Sequence, residues 1–493
     1  MPPAHRVLRS AALVSLLGVA GCAVGPDYHR PTTPAPAEFK EAAGWKAAAP
    51  ADAADRGSWW EVFHDPQLSE LETRAAASNQ SLAQVVANYE QARQLARADR
   101  TTLFPVLSGS ASGQRSKSPG RPASGGAPAS ASEPTSSYSA SLSASWTPDF
   151  WGRVRRLNEA DIASAQASAA DLADARLSIQ ATLAQTYFQL RIADERIRLR
   201  QTAVDAYRRT LEIARNKYNV GIVARNDVIS AQAQLDAARA QVIDAGIQRA
   251  QLEHAIAVLV GQTPAEFSLA PHAALDLAMP AVPPQMPSTL LERRPDIAAA
   301  ERSVAAANAR IGVQTAASFP ALTLSADGGY TGSPLGELLR TPNRFWSLGA
   351  GLADTLFDFG RRGDQVAQTR AAYDASVAAY RGAVLRAFQE IEDELVSLRL
   401  LESEAQVQDA AVREAAEAAQ IAMNEYRAGT TDYTTVATAQ VTELNDRQTA
   451  LTVFLNRMNS SVALIEALGG GWHSTDLPTA GDVIAGPTPA GGH

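Results

Sequence analysis

Cysteine is almost absent from this chain, because Cys22 is the only one among its 493 residues. An exported form of the chain would therefore have no internal disulfide, and the single thiol is free for another use. The seven histidines are scattered without the spacing of metal ligands, and no set of titratable side chains converges as catalysis would require. These absences predict a protein with no metal site, no cofactor and no enzymatic activity.

A dominant charge of one sign is lacking as well. The 44 Lys and Arg residues are interspersed among 52 Asp and Glu residues, which leaves a formal net charge of −8. No basic face is visible, so nucleic acid is not an expected partner. One acidic cluster consists of Glu390, Glu392, Asp393 and Glu394. This cluster indicates a solvated helix face or a channel lining rather than a general-acid pair or a cation site.

Long apolar runs are also missing. The run over residues 11–17 follows basic residues and is too short to span a bilayer, which is the layout of a secretory signal peptide. Small residues then precede Cys22, and this arrangement resembles a bacterial lipobox, so we predict a signal peptide over residues 1–21 and acylation of Cys22. An unmodified cysteine inside a discarded leader is the alternative. Ala23 stands where Asp often marks retention in the inner membrane, which favours sorting to the outer membrane.

Glycine and proline are missing from the longest stretches of the sequence. Residues 153–220 contain neither, and as one helix with a rise of 1.5 Å per residue they would span about 100 Å. The chain then turns at Gly221 and returns through residues 223–260. Alanine at close spacing lets neighbouring helices approach, and helices of this length need continuous partners to be stable.

An internal duplication organises the whole chain. Residues 152–261 recur 208 positions later without a gap, so that Gly152 pairs with Gly360, Tyr218 with Tyr426, Gly221 with Gly429 and Gly261 with Gly469. Upstream the match continues at an offset of 215, so the first copy carries seven extra residues between its Phe104 and Gly152. A period near 210 is too long for a solenoid. Two similar large units must therefore lie side by side.

Each copy also contains a segment in which apolar and polar residues alternate. Residues 137–146 place Tyr, Ala, Leu and Trp between serines, and residues 322–330 and 346–352 alternate in the same way. Period two predicts β-hairpins with strands of about ten residues, the length that crosses a bilayer when tilted. A soluble hairpin packed on helices would alternate too. Aromatic residues near the strand ends resemble interfacial girdles, and they are Tyr138, Trp146, Tyr330 and Trp346.

Four strands cannot close a barrel, and an open sheet edge in lipid leaves backbone groups without partners. Two copies of the chain would close eight strands, but side chains would then largely fill the interior. Three copies give twelve strands and leave a channel. The predicted fold is therefore a mixed α and β membrane protein that assembles as a homotrimer, with long α-helical hairpins forming an α-barrel.

At this point several motifs resemble the outer-membrane factors, the TolC-type efflux lipoproteins of the NodT branch. The resemblance covers residues 22–471, and its motifs are Gly25-Pro26-Asp27-Tyr28, Trp59-Trp60, Arg293-Arg294-Pro295-Asp296, Ser318-Phe319-Pro320, Leu356-Phe357-Asp358-Phe359-Gly360 and Tyr426-Arg427-Ala428-Gly429. It implies a trimeric duct anchored by lipid in the cell outer membrane and extending into the periplasm. It also implies two partners, a periplasmic adaptor protein and an inner-membrane pump.

Carried onto this sequence, the resemblance makes the turns at 218–227 and 426–438 the periplasmic tips that meet the adaptor and constrict the channel. The candidate tip and gate residues are Tyr218, Gly221, Arg225, Asp227, Tyr426, Arg427, Gly429 and Asp432. The alternative is that the polar ones cap helix ends and touch solvent. Relatives often have an apolar residue and then Asp after the second tip, where this chain has Thr434 and Thr438. The narrowest ring is then less tightly sealed or is formed by Asp432.

The predicted function is the exit duct of a tripartite efflux system. Type I protein secretion and metal efflux are alternative uses of such a duct, and a periplasmic coiled-coil spacer lipoprotein is an alternative of another class. The predicted organisation is a signal peptide at 1–21, an acylated extended tether at 22–57, a first repeat at 58–288, a second repeat at 289–470 and a disordered tail at 471–493. Within the repeats we expect β-hairpins at 104–148 and 319–357, helical hairpins at 153–260 and 361–468, and a Pro-rich equatorial link at 262–288.

Overall fold

A computed structural model of the chain describes residues 23–33, 39–42, 58–117, 133–271, 279–280 and 293–485. The predicted signal peptide, Cys22, most of the hairpin loop and the last eight residues lie outside this range. Within it, no helix combines the length and the apolar character that crossing a membrane requires.

The first repeat contains two short helices, two strands and one very long helical hairpin. In chain order these elements are α1 (Pro66–Ser78), α2 (Gln80–Thr101), β1 (Val106–Ser116), β2 (Thr135–Trp146), α3 (Arg153–Asn219) and α4 (Arg225–Leu259). Residues 67–103 contain neither Gly nor Pro, yet they form two helices rather than one. Asn79 adopts an extended conformation and its side chain accepts a hydrogen bond from the Leu82 backbone N–H, so it caps α2 and separates it from α1.

From α2 onward, the second repeat has the same order of elements. They are α5 (Pro295–Ala316), β3 (Ala321–Gly332), β4 (Arg344–Ala353), α6 (Arg361–Ala428) and α7 (Tyr433–Ala467). By the sequence offsets, α5 is the counterpart of α2, α6 of α3, and α7 of α4. Both hairpins fold back on themselves, and the two hairpins meet where α3 packs along α7.

A pair of glycines shows how closely the two copies match. Gly261 and Gly469 follow the return helices with φ of +70° and +89°. A Cβ at Gly261 would lie 2.2 Å from the Ser78 carbonyl oxygen, and one at Gly469 would lie 2.0 Å from that of Arg293. Ser78 and Arg293 are themselves counterparts at the 215 offset. The same backbone approach is therefore built twice, and only glycine fits it.

The four strands form one antiparallel sheet in the order β1-β2-β3-β4. The register sets Leu107 beside Ala144, Ala144 beside Ala326, and Ala326 beside Leu348. On the opposite face, serines of β1 face serines of β2. The hydroxyl oxygens of Ser110 and Ser141, for example, are 2.9 Å apart. Because side chains alternate along a strand, one face of the sheet carries most of its apolar side chains and the other carries mostly Ser and Thr, with one Asp.

The main core lies where the two helical hairpins pack together below the sheet. It includes Trp59, Phe63, Phe188 and Leu395, all with at most 2% of their surface exposed. The Phe63 and Phe188 rings are 4.8 Å apart. A separate apolar cluster closes the far end of the hairpins, near the turns.

The described part of the predicted N-terminal tether is docked along the helices, and it includes one short 3-10 turn at Lys40–Ala42. The Val24 N–H donates to the Trp151 carbonyl, and the Arg156 guanidinium lies 2.8 Å from the Asp27 carboxylate. Further along, the Glu392 carboxylate accepts hydrogen bonds from the backbone N–H groups of residues 40 and 41. We call residues 23–33 and 39–42 the strap, and it runs from the sheet end of α3 down to the middle of α6.

The prediction of a disordered tail from residue 471 is wrong up to residue 485. A short helix, α8 (Ala480–Ile484), begins at Thr479, whose side chain and that of Asp482 cap each other's backbone N–H groups. Val483 is fully buried against Ala96 and Ala165. Small side chains on α2 and α3 leave a shallow surface that one valine fills, and the composition of the tail gives no sign of this contact.

The helical tips as the candidate functional site

Both helical hairpins turn through a glycine in the left-handed region. Gly221 has φ +79° and Gly429 has φ +86°, and neither has an atom within 4 Å of the place where a Cβ would stand. The N–H of Gly429 donates to the Tyr426 carbonyl at 3.1 Å, which closes the end of α6. The turns are therefore exposed ends of the fold, with backbone conformation rather than crowding as the reason for glycine.

The two tip tyrosines, although counterparts in the repeat, lie in different surroundings. Tyr218 is 44% exposed, whereas Tyr426 is 1% exposed. Tyr426 packs edge-on against Tyr433, with ring centroids 6.2 Å apart. The Tyr433 hydroxyl donates to the Gln234 side-chain carbonyl at 2.5 Å, which joins the second hairpin to the first. Burial, with a smaller contribution from the charge of Asp227, raises the pKa of Tyr426, so its phenol stays neutral.

Lys217 belongs to this cluster, and sequence reasoning missed it. Its Nζ donates to the Tyr426 carbonyl oxygen and lies 4.4 Å from the centroid of the Tyr426 ring. A cation over an aromatic face is attracted by the ring quadrupole. A lysine in the last turn of a long helix gives no distinctive pattern, but its repeat counterpart is Glu425, and that reversal of charge is a signal that could have found it.

Asp432 is the N-cap of α7. One carboxylate oxygen accepts hydrogen bonds from the backbone N–H and the hydroxyl of Thr435, both at 2.9 Å. These bonds, led by the backbone one, hold the pKa of Asp432 below its usual value. The capping role that was the alternative for the polar tip residues is thus observed here. The carboxylate is also exposed and ionised, so it is available to a neighbouring chain.

The remaining polar candidates at the tips do not meet one another. Arg225 and Arg427 are exposed, and Asp227 is half-buried. In the described part of the chain these three side chains form no ion pair. The single chain therefore brings together Lys217, Tyr426 and Tyr433, and it leaves Arg225 and Arg427 exposed. The charge of half-buried Asp227 acts on both tyrosines.

The four predicted interface aromatics all lie on the apolar face of the sheet. Trp146 is at the helix-side end, where its indole N–H donates to the Leu103 carbonyl at 3.0 Å. Tyr138 and Tyr330 lie toward the opposite end of their strands, and Trp346 is 70% exposed beside them. This distribution places aromatic side chains at two levels of one apolar surface.

A polar recess of about 420 Å³ lies between the helices near the main core, and it includes part of the acidic cluster. Arg294 is its centre, because its guanidinium binds Asp296 at 2.8 Å, Glu390 at 2.7 Å and the Ala467 carbonyl at 3.0 Å. Burial raises the pKa of Asp174 to about 6 and that of Glu466 to about 7. Among the described residues no group of His, Cys, Asp or Glu has the geometry of a metal site.

Long helical hairpins continuous with a membrane-length sheet define a channel-forming class of protein. Comparison with known proteins identifies it: the chain belongs to the outer membrane efflux protein family, whose sequence pattern matches residues 71–262 and 286–470. It is the outer-membrane exit duct of a tripartite efflux system and it is not an enzyme.

Two relatives show the extent of the similarity. A probable efflux pump outer membrane protein, TtgC of Pseudomonas putida, is 30% identical over 471 residues, which is 95% of this chain and 96% of the relative. The pyoverdine export outer membrane protein OpmQ of Pseudomonas aeruginosa is 30% identical over 448 residues, which is 90% of this chain and 94% of the relative.

Solved structures agree. The outer-membrane channel OprN superposes with a TM-score of 0.82 at 30% identity, and the match covers 92% of this chain and 100% of the OprN chain. The open-state MtrE channel of Neisseria gonorrhoeae has a TM-score of 0.80 at 28% identity, and the match covers 93% of this chain and 100% of the MtrE chain.

Proposed function

We propose that three copies of this chain assemble into one lipid-anchored duct, in which twelve strands close a barrel in the outer membrane and six helical hairpins close a second barrel below it. The tips would meet a periplasmic adaptor, which would connect the duct to an inner-membrane pump. One observation carries the proposal: repeat counterparts that are buried in one hairpin are exposed in the other.

The exposed positions lie on one side of the second hairpin. On α6, Leu385 is 56% exposed and Leu400 is 59% exposed. Their counterparts on α3, Leu177 and Ile192, are only 7% and 1% exposed, because α7 and α5 of the same chain pack against α3. Since the two hairpins share one sequence pattern, the α6 surface requires an equivalent cover. A second copy supplies it from its own first repeat.

The first repeat presents the complementary surface. On α4, Ile243 and Ile247 are 72% and 54% exposed, whereas their counterparts Leu451 and Leu455 on α7 are both partly buried. Packing α4 of one copy along α6 of the next would repeat between chains the contact that α7 and α3 make within one chain. A rotation that repeats in this way closes into a ring.

The sheet leads to the same assembly. In the described structure β1 and β4 have no partner on their outer sides, and they are 11 and 10 residues long. In a bilayer, unpaired backbone groups along such edges would each cost several kcal/mol. Joining β4 of one copy to β1 of the next satisfies both edges, and three copies give the twelve strands expected above.

The strap supports a lipid anchor at Cys22. A Cβ at Gly152 would lie 2.7 Å from the Ala23 Cα, so the residue after Cys22 sits at the sheet end of α3. That is the level at which the helices meet the strands, where an acyl chain on Cys22 would enter the adjacent lipid. Metabolic labelling with palmitate should mark the wild type and not Cys22→Ser, while Cys22→Ser still forms trimers because strand and helix pairing hold them together. Equal labelling of both proteins would remove the anchor from the proposal.

The relatives' names associate similar ducts with the export of organic compounds, namely toluene and pyoverdine. We extend that class of substrate to this duct rather than proteins or metal ions. The pump and the adaptor would select the individual compound.

The assembly is tested by reconstitution. Purified protein in detergent should have the mass of three chains and should conduct ions in a planar bilayer. An epitope tag inserted between β1 and β2 should be reached by antibody on intact cells, because the strand ends at Ser116 and Thr135 lie at the far end of the sheet from the helices. A monomer without conductance, or a tag reached only after the outer membrane is permeabilised, would contradict the proposal.

A further inference from the structure

The contact between the two hairpins of one chain predicts the contact between neighbouring chains in the proposed trimer, on which this inference rests. Three polar contacts mark the within-chain seam. Arg196 donates to the Thr452 hydroxyl at 2.8 Å, Gln440 donates to the Thr210 hydroxyl at 3.2 Å, and Lys217 covers Tyr426. Together they extend from the middle of the hairpins to the tips.

The repeat offset of 208 converts each contact into its counterpart between copies. The counterparts of Arg196 and Thr452 are Glu404 of one chain and Asp244 of the next. Those of Thr210 and Gln440 are Ala418 and Gln232, and those of Lys217 and Tyr426 are Glu425 and Tyr218. None of the three counterpart pairs preserves the chemistry of the original. The seams within a chain and between chains are thus fastened differently, even though the helices that form them match.

At the tip the difference is a reversal of charge. Lys217 covers the Tyr426 ring, next to which Tyr433 packs. In the counterpart seam Glu425 takes the place of Lys217, and Tyr218 takes the place of Tyr426. Arg225 takes the place of Tyr433. A carboxylate from one copy therefore arrives beside a guanidinium of the next.

We infer that Glu425 of one copy forms an ion pair with Arg225 of the neighbouring copy, and that three such pairs fasten the tips of the closed duct along the seams between chains. Two observations on the single chain agree with it. Both side chains are exposed, and neither has an ion-pair partner in the described part of the chain. In addition Tyr218, which this contact would cover, is left 44% exposed.

The pair would also make the seams between chains the ones that separate when the duct opens. Lys217 is held by a neutral carbonyl and an aromatic face, which salt screens weakly. An exposed ion pair is screened strongly, because the Debye length falls to about 3 Å at 1 M salt. Farther up the seam, Glu404 and Asp244 bring two carboxylates together where the within-chain seam has a hydrogen bond. The between-chain seam is therefore the weaker of the two.

Charge exchange in planar bilayers tests the pair. Glu425→Arg and Arg225→Glu should each raise the fraction of time that the channel is open by about two- to fivefold at 0.1 M salt. The double exchange should restore the wild-type value, and at 1 M salt all four proteins should behave alike. Glu425→Arg combined with Arg427→Glu is the matched control, since Arg427 is on the same tip but is not placed in the seam, and it should not restore closure.

Cross-linking separates failure of the pair from failure of the trimer. Ala418→Cys with Gln232→Cys should yield covalent two- and three-chain species with a short bifunctional thiol reagent, because this pair lies in the seam without taking part in the ion pair. Cross-linked trimers whose double exchange stays open would overturn the Glu425–Arg225 pair and leave the assembly standing. Absence of any cross-linked species would overturn the assembly and the pair together.

Discussion

The two copies of the repeat form nearly the same helices but bury them to different extents. Of the 67 residues of α3, 24 are buried, against 11 of the 68 in α6. The shorter helices differ in the opposite sense, since 13 of 22 residues are buried in α5 and only 2 of 22 in α2. The two well-covered helices, α3 and α5, belong to different repeats and pack against each other. Their counterparts, α6 and α2, are the two bare helices. In the proposed trimer, the bare helices would be the surfaces that neighbouring chains cover.

The largest expected effect comes from placing a charge at matched positions of the two long helices. Ile192→Asp should unfold the chain, because it places a carboxylate at a position that is only 1% exposed. Leu400→Asp, at the counterpart position, should leave the helical content intact and abolish the trimer. Circular dichroism and light scattering in detergent measure the two properties separately.

The matched control for that comparison is Leu339→Asp. Leu339 is 73% exposed and lies between β3 and β4, away from the helical seams, so neither folding nor assembly should change. Trimers that survive Leu400→Asp would show that the bare face of α6 is not a contact between chains.

Much of this comparison can be anticipated from the sequence, because its cause is local. Glycine-free stretches of Ala-rich sequence predict the long helices, and alternation of serine with Tyr, Leu and Trp predicts which face of the sheet is apolar. The turn at Gly429 follows from the repeat. What sequence reasoning misses depends on contacts between distant segments: Lys217 gains its role only when α3 meets the end of α6, and Val483 is buried only because Ala96 and Ala165 leave room for it.

The capping residues show the limit of pattern reading on a smaller scale. Asp432 could be read as a gate carboxylate or as a helix cap, and the structure gives it the cap. Asn79 interrupts a stretch without Gly or Pro, because its side chain competes for the backbone N–H groups that a continuous helix would use. Short polar side chains decide such cases by geometry that residue type alone does not specify.

Glu72 sharpens the comparison because its effect should be independent of assembly. It is fully buried in α1, neither carboxylate oxygen has a partner in the described structure, and burial raises its pKa from 4.5 to about 9. Between those values the unfolded chain releases a proton that the folded chain keeps, so the free energy of unfolding falls as pH rises. At pH 7 the cost is ~3 kcal/mol as an upper estimate.

Glu72→Gln should therefore raise the urea midpoint at pH 8 and change it little near pH 4.5, in monomeric Leu400→Asp protein and in trimers alike. Glu70→Gln on the exposed side of the same helix is the control and should leave the pH dependence as it is. A midpoint that responds to pH equally in the Glu72→Gln protein and the wild type would show that Glu72 is not held neutral.

A third comparison uses Arg294 and Asn79, which are counterparts at the 215 offset. The Asn79 side chain donates to the Leu259 carbonyl at 2.8 Å, and Arg294 donates to the Ala467 carbonyl at 3.0 Å, so both hold the end of a return helix. Asn79→Ala should cost ~1 kcal/mol through the lost cap and bond. Arg294→Ala should cost ~2 kcal/mol, since it also leaves two partly exposed carboxylates unpaired.

Thermal or urea unfolding of the two variants checks this order. Arg294→Lys is the informative control, because it keeps the charge but cannot form the forked contact with Asp296, and it should fall between Arg294→Ala and the wild type. Equal costs for Asn79→Ala and Arg294→Ala would mean that the acidic recess contributes nothing beyond the shared carbonyl bond.

Substitutions at the tips should have the smallest effect on stability and the most selective effect on conductance. Asp432 caps α7, whereas its counterpart Ala224 offers no side chain to cap α4. Asp432→Ala removes the cap and the carboxylate together, and in a threefold ring it should raise conductance and weaken cation preference. Asp432→Ser keeps a cap and removes only the charge. If the carboxylates line the constriction, both variants should lose cation preference in a planar bilayer, while only Asp432→Ala should open more readily. Wild-type selectivity in Asp432→Ser would assign Asp432 to the helix cap alone and would direct the search for the narrowest ring to Arg427 and Asp227.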